Sequence, residues 1–259
     1  MTHVTSYVCC AVLLFPSFCT SQPVSSDYVW AIVKVSYDPT TRKAEGGSCG
    51  TVFFVNETTF ATAHHVANQA TFSPNAGYPN VRVFLANSRG DTIDDFRIVQ
   101  QEPDYDLAIG SIVKANPAVR VCPLQTEIVR GERVYNIGFP TDQVFEYSFA
   151  FEGPTLVVQR IRMKPIRQEG TVQDIRKLTV RANDVNLQDM TVAVLNYSSR
   201  IGFSGGPLVS ESSGKVVGLM SFVIPKEFDP RRPAVAIRMS DIEPLLEKGG
   251  QQRDASDKK

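Results

Sequence analysis

The chain has 259 residues, in which 27 Lys and Arg balance 27 Asp and Glu, so its formal net charge is zero at pH 7. A neutral chain gives no electrostatic reason to expect nucleic acid or an anionic membrane surface as a partner. The length suffices for one large all-β domain or two small ones. Short apolar runs rich in β-branched residues, with little helical periodicity, favour β-structure.

Residues 1–21 differ in composition from the rest of the chain. Their apolar run, 7–15, is too short to span a bilayer. The small residues at 19–21 fit cleavage before Gln22. We therefore predict a signal peptide at 1–21 and a secreted or periplasmic mature chain without stable membrane insertion. The leader lacks Lys and Arg, so an uncleaved anchor or a disordered leader is the alternative.

The pattern of the rest of the chain predicts short strands separated by turn residues. The predicted strands are 29–35, 51–55, 60–63, 81–85, 96–99 and 107–113 in the first half, and 133–138, 156–158, 178–180, 191–195, 216–222 and 234–237 in the second. About six strands per half predict two six-stranded antiparallel β-barrels, at about 28–122 and 128–240. Closure into barrels would remove the exposed edges of such strands.

A short helix is predicted at the end of this domain, which we place at 22–247. Ser240 and Glu243 have the spacing of a capping box, and Gly249 would end the helix. Residues 248–259 are polar and charged, so a disordered tail is expected there. Outside the leader, the cysteines are Cys49 and Cys122; a disulfide and two free thiols both remain open.

The most distinctive segment is 202–208, which has the sequence GFSGGPL. Glycines on both sides of Ser204 allow the backbone to bend sharply and to approach a ligand closely. That geometry suits a nucleophile whose neighbouring N–H groups must point at one oxygen. The alternative is an ordinary turn before a strand.

A nucleophilic serine needs a base, and outside the leader the histidines are His64 and His65. They follow the predicted strand 60–63, where adjacent side chains point to opposite sides, so one can face a cleft. The alternative is two surface histidines at the end of a strand. No metal is expected, because side chains of neighbouring strand residues diverge and no cluster with ligand spacing lies nearby.

The base needs an acid that orients it. Asp106 is a candidate, and it directly precedes a strongly apolar predicted strand. A carboxylate buried at that border needs a hydrogen-bonding partner, and an imidazole N–H is suitable. Asp104 is the rival candidate. It follows Pro103, and we favour its interpretation as a turn residue.

These three segments together resemble the signature segments of trypsin-like serine peptidases, in that family's order of His, Asp and Ser. The resemblance extends from about Ser48 to Ile242 and is greatest to the HtrA/Deg branch. It implies a chymotrypsin-like fold, with His65 as the base, Asp106 as the orienting acid and Ser204 as the nucleophile. It also implies an oxyanion hole formed by the backbone N–H groups of Gly202 and Ser204.

The same resemblance implies a substrate-binding strand at Ser221, Phe222 and Val223, where Ser221 supports the acid and pairs with the substrate backbone. Ser198, six residues before Ser204, corresponds to the floor of the specificity pocket and would not attract Lys or Arg. Val223 stands where trypsins have glycine and would narrow the pocket mouth. We therefore expect a preference for small or medium apolar side chains before the scissile bond.

Two features depart from the family patterns. Phe203 replaces the aspartate with which trypsins bind a newly cut N-terminus, so activation by N-terminal cleavage is not expected. In the HtrA branch a small polar residue is usual there, which leaves the state of the oxyanion loop open. The sequence after Ile242 is too short for the PDZ module that is common in HtrA proteins, so we do not expect such a module in residues 243–259.

The function expected from these residues is a serine endopeptidase that acts on polypeptides through an acyl-enzyme, without metal or organic cofactor. The alternative is a catalytically impaired pseudo-peptidase that binds peptides or proteins, because a fold does not guarantee activity. Oligomerisation is possible, since HtrA relatives often form trimers, but no residue pattern specifies it.

Overall fold

The computed structural model of the chain describes residues 23–70, 74–142, 145–182 and 185–256. The predicted signal peptide at 1–21 and the predicted cleavage site before Gln22 lie outside these described residues. Most of the described chain is β-strand, arranged as two curled antiparallel sheets that share a common hydrophobic core, with a second, smaller apolar cluster within the second half.

The first half forms a curled sheet of seven strands, which we call the N-terminal sheet. Its strands are β1 (Val29–Asp38), β2 (Lys43–Phe54), β3 (Thr59–Ala63), β4 (Asn80–Asn87), β5 (Thr92–Ile93), β6 (Phe96–Glu102) and β7 (Leu107–Ile112). Their order is β5-β4-β1-β2-β3-β7-β6, and bulges in β2 and β6 help to curl the sheet. The predicted all-β architecture of this half is confirmed, with two differences: the two-residue β5 makes seven strands rather than six, and no ladder joins β5 to β6 among the described residues.

The second half contains the predicted closed barrel. Its strands are β8 (Arg133–Gly138), β9 (Phe145–Glu152), β10 (Thr155–Met163), β11 (Ile166–Ala182), β12 (Val185–Leu195), β13 (Pro207–Ser210), β14 (Val216–Val223) and β15 (Ala234–Arg238). Six of these form the C-terminal barrel, in the order β11-β12-β15-β14-β13-β8. Strands β9 and β10 instead form a separate hairpin, so the predicted strand at 156–158 exists but does not belong to the barrel.

This hairpin packs against the N-terminal sheet. Leu156 and Ile161 are buried in the common core, and the Arg82 guanidinium donates a hydrogen bond to the Leu156 carbonyl. The rings of Tyr37 and Phe151 lie 6.1 Å apart between their centroids. The hairpin thus links the two halves of the fold.

A second link is made by the segment that precedes β1. The Val24 N–H donates to the Gly214 carbonyl at 3.1 Å, and the Tyr135 hydroxyl donates to the Val24 carbonyl at 2.8 Å. Val24 is buried in the core. The first described residues therefore lie on the C-terminal barrel, and the chain then enters the N-terminal sheet at β1.

Two α-helices complete the fold, α1 (His64–Ala70) and α2 (Met239–Ser256). Arg238 forms two hydrogen bonds, of 2.8 and 3.0 Å, with the Asp241 carboxylate in the first turn of α2. The sequence predicts that the helix ends at Gly249 and that 248–259 is disordered, but α2 continues through Ser256. Residues 257–259 lie outside the described residues. Neither helix in the described part of the chain is long and apolar enough to cross a membrane.

Candidate active site

The predicted base and acid lie where β3 passes into α1 and where a short 3₁₀ helix leads into β7. His64 and His65 open α1, which corrects the prediction that they end a strand. Asp106 follows the 3₁₀ turn Pro103–Tyr105 and has a left-handed backbone, with φ of 44°. Because the His64 N–H donates to the Asp106 carbonyl at 3.0 Å, the two segments are fixed to each other.

The Asp106 carboxylate receives three hydrogen bonds. His65 Nδ1 lies 3.0 Å from both carboxylate oxygens, and the His65 backbone N–H donates to Oδ1 at 3.1 Å. The Ser221 hydroxyl donates to Oδ2. Asp106 has no exposed surface, so these donors compensate for the lost hydration of its charge. The pairing also keeps the proton of a neutral imidazole on Nδ1 and leaves Nε2 with a free lone pair.

His64 and Asp104, the alternatives to His65 and Asp106, lie in different environments. The His64 ring nitrogen Nε2 pairs with the Asn68 amide at 2.9 Å. Asp104 lies in the 3₁₀ turn, as its interpretation as a turn residue predicted, and accepts from the Asn186 amide at 3.3 Å. Neither residue lines the cleft described next.

Ser204 and His65 line the same cleft between the two halves of the fold, with a volume of about 370 Å³. The Ser204 hydroxyl donates to the Ser221 carbonyl at 2.9 Å. Among the described residues, the Ser204 hydroxyl has this one hydrogen bond and forms none with His65. Transfer of its proton to the imidazole therefore requires rotation about χ1, and such hydrogen bonds are often unformed before substrate binds.

The backbone before Ser204 has a defined orientation. The Ile201 carbonyl accepts from the Thr141 N–H at 3.0 Å. Because a trans peptide places N–H and C=O on opposite sides, the Gly202 N–H points away from Thr141 and toward the cleft. No acceptor among the described residues takes the N–H of Gly202 or of Ser204. Both N–H groups are thus unpaired within the described part of the chain.

Gly202 is required at its position. Its φ of +101° is in a region that side chains disfavour, and a Cβ there would lie 2.2 Å from the Phe139 carbonyl oxygen. The Gly202 carbonyl accepts from the Thr51 hydroxyl at 2.7 Å. The Thr51 N–H also donates to the Ser204 carbonyl at 2.9 Å, so one buried threonine of β2 supports both sides of the loop.

Phe203, whose effect on this loop the sequence left open, is completely buried. Its ring packs so closely on β8 that a Cβ at Gly138 would lie 2.8 Å from Cδ1. The Gly206 N–H donates to the Phe203 carbonyl at 3.0 Å. The side chain therefore anchors the loop through apolar burial.

The predicted substrate-binding residues do not all line the cleft. Ser221, Phe222 and Val223 do, but Ser198 does not; it is exposed, and its carbonyl accepts from the Gln168 amide at 3.0 Å. Ser198 therefore does not line the described cleft, whereas its neighbour Ser199 does. The lining residues are Cys49, His65, Gln69, Val185, Ser199, Arg200, Ile201, Gly202, Ser204, Met220, Ser221, Phe222, Val223 and Arg232.

Residues that sequence reasoning missed contribute to this site. Thr51 and Thr141 orient the oxyanion loop through hydrogen bonds, and neither has a motif that indicates such a role. Arg200 and Arg232 line the cleft, whereas the sequence predicted apolar selectivity. Loops far apart in the chain bring these residues together, so no local pattern could have revealed them.

Both cysteines outside the leader are free. Cys49 lines the cleft, and burial raises the pKa of its thiol to about 11. Cys122 is fully buried, which also raises its thiol pKa. Among the residues that the structure describes, no three His, Cys, Asp or Glu side chains cluster as metal ligands would.

The curled sheet, the closed barrel and the cleft between them define the chymotrypsin-like fold. The family model described as a trypsin-like peptidase domain matches residues 50–219, and the chain belongs to this family. The predicted resemblance is therefore confirmed, and the family supports a peptidase that acts on polypeptides.

Solved structures agree with this fold. The active form of the Rv3671c protease from M. tuberculosis has a TM-score of 0.55 and 17% identity, over 94% of this chain and 95% of that chain. The HtrA-type protease AlgW, solved with a decapeptide, has a TM-score of 0.59 and 18% identity, over 88% of this chain and 65% of that chain. Comparison with curated protein sequences gives no significant match.

Proposed function

We propose that this protein is a serine endopeptidase that cleaves peptide bonds through an acyl-enzyme on Ser204. The observation that carries the proposal is the contact of the buried Asp106 carboxylate with His65 Nδ1 at 3.0 Å, at a cleft that Ser204 also lines. The unused N–H groups of Gly202 and Ser204 support it further, because acyl transfer needs donors for a developing oxyanion.

In this mechanism the Ser204 hydroxyl rotates from the Ser221 carbonyl toward His65. Nε2 accepts the hydroxyl proton as Oγ attacks the scissile carbonyl carbon, and the two N–H groups stabilise the oxyanion. The imidazolium then gives its proton to the leaving amine as the C–N bond breaks. Water, deprotonated by His65, hydrolyses the ester and restores the serine. Asp106 remains ionised throughout.

Labelling with a fluorophosphonate probe tests this proposal. We expect the native protein to be labelled on Ser204 and Ser204→Ala to remain unlabelled. His65→Ala should lower the rate of peptide hydrolysis by roughly 10⁴–10⁶-fold. His64→Ala is the matched control and should retain activity. Loss of activity in the His64 variant alone would contradict the assignment of the base.

A peptide-binding module without hydrolytic activity is the second candidate. It is favoured by one observation, the hydrogen bond of the Ser204 hydroxyl to the Ser221 carbonyl in place of one to His65. A protein that binds extended peptides but is neither labelled by the probe nor able to cleave them would establish this candidate and exclude the first.

A further inference from the structure

We propose that the cleft selects peptide segments with an acidic side chain and that Arg232 binds the carboxylate. This inference deepens the proposed function and rests on it, since it concerns the same cleft. It replaces the apolar preference expected from the sequence with a preference for Asp or Glu.

The first argument is the charge of the cleft. Arg200 and Arg232 both line it, and none of its lining residues is Asp or Glu. Arg200 is paired with Asp142, which does not line the cleft, so the uncompensated positive charge on the lining is that of Arg232, in a chain whose overall charge is zero. A cleft lined by one sign of charge concentrates ligands of the opposite sign.

The second argument is whether each arginine side chain already has a hydrogen-bonding or ion-pair partner. Arg200 forms an ion pair with Asp142, and Arg231 forms two hydrogen bonds, of 3.0 and 2.8 Å, with the Asp229 carboxylate. Arg232 differs from both. Its backbone N–H donates to the Asp229 carbonyl at 2.9 Å, but its guanidinium has no hydrogen bond or ion pair within the described part of the chain. It is therefore available to a ligand.

The third argument is the backbone that carries this side chain. Arg232 has a φ of 52°, a left-handed conformation that costs free energy in any residue with a Cβ. The turn is held at its base, because the Ile224 N–H donates to the Pro233 carbonyl at 3.0 Å. Strained non-glycine residues concentrate at functional sites. Here the strain accompanies an unpaired cation on the wall of the cleft.

The chemistry of the guanidinium identifies the ligand. Its planar fork of N–H donors matches the two oxygens of a carboxylate. Two sources could supply that group, an acidic side chain or the C-terminal carboxylate of a peptide. An endopeptidase binds the interior of a chain, so we assign the side chain.

Peptide binding to Ser204→Ala tests the inference independently of catalysis. Fluorescent peptides with acetylated and amidated ends would carry Glu or Gln at one scanned position, and anisotropy would give their Kd values. At one position we expect Glu to bind about five- to tenfold more tightly than Gln. Adding Arg232→Gln should abolish the difference, whereas Arg231→Gln, the matched control, should retain it. Thermal melting verifies that each variant is folded.

Equal affinities for Glu and Gln at every position, or no binding of either, would overturn the inference. A preference that survives Arg232→Gln would also overturn it. A further series of Gln peptides with a free C-terminus covers the other source of a carboxylate. If only these bind more tightly than their amidated forms, the terminal carboxylate is the ligand and the inference is overturned. Failure of the proposed function has a different signature: the native protein would be unlabelled by the fluorophosphonate probe, whatever the Glu to Gln ratio in Ser204→Ala.

Discussion

Substitution of Asp106 by Asn keeps the shape of the side chain but replaces one acceptor oxygen with an NH₂ donor. In the native site the carboxylate faces three donors: the His65 N–H, the His65 ring nitrogen and the Ser221 hydroxyl. The carboxamide introduced by Asp106→Asn can accept only on its oxygen side. If its NH₂ faces the imidazole, Nδ1 must become the acceptor and the ring proton moves to Nε2.

An imidazole with its proton on Nε2 cannot accept the proton of Ser204. We therefore expect Asp106→Asn to lower kcat/KM by about 10⁴, which corresponds to about 5 kcal/mol of transition-state stabilisation. The folded state should also lose about 1–3 kcal/mol, because Asp106 is fully buried and one of its donors is left unsatisfied.

The assay is hydrolysis of a fluorogenic peptide, with urea denaturation as the measure of the free energy of unfolding. Asp104→Asn is the matched control, since Asp104 is two residues away and its carboxylate accepts an exposed hydrogen bond from the Asn186 amide at 3.3 Å. Its activity should be close to native. A severe loss in Asp104→Asn together with a mild one in Asp106→Asn would refute the assignment of the acid.

We make three further predictions, two from single contacts and one from the burial of a thiol. Gly202→Ala places a Cβ 2.2 Å from the Phe139 carbonyl oxygen, so the loop must shift and kcat should fall by about 10²–10³; native kcat in this variant would contradict the oxyanion assignment. Tyr135→Phe leaves the Val24 carbonyl without its 2.8 Å hydrogen bond and should lower the free energy of unfolding by about 1–2 kcal/mol, and an unchanged urea midpoint would show that this contact does not stabilise the fold. The Cys49 thiol, with its pKa raised by burial from 9.0 to about 11, should react with iodoacetamide at pH 8 about 100-fold more slowly than an unburied thiol; a rate that levels off near pH 9 would disprove the shift.

The strands could largely be predicted from sequence, because alternation and apolar runs reflect local burial. What the pattern could not show is which sheet a strand joins. The run at 156–158 has the composition of a barrel strand, yet β10 pairs with β9 in a separate hairpin, and Leu156 is buried against the N-terminal sheet. Likewise β5 has only two residues, too few for any period to appear. Pairing partners are decided by long-range packing, which leaves no local trace.

In the candidate site, too, some features could be predicted from the sequence and others could not. The contact of His65 with Asp106 and the position of Ser204 on the same cleft as His65 agree with the prediction, which was possible because acid–base and nucleophilic chemistry requires particular side chains. An oxyanion hole is different, since every residue except proline has a backbone N–H and only its direction matters. That direction depends here on the Ile201 carbonyl, which the Thr141 N–H holds at 3.0 Å.

A glycine at 202 permits this orientation but does not select it. With φ of +101° the Ile201–Gly202 peptide could reverse at little steric cost to Gly202 itself, since glycine visits both signs of φ. Reversal would, however, break the hydrogen bond from Thr141 and point the Ile201 carbonyl, an acceptor, at the position of the oxyanion. The Thr51 hydroxyl opposes further movement by holding the Gly202 carbonyl at 2.7 Å. The proposed oxyanion hole thus depends on the backbone N–H of Thr141 and on the hydroxyl of Thr51, neither of which takes part in the chemistry.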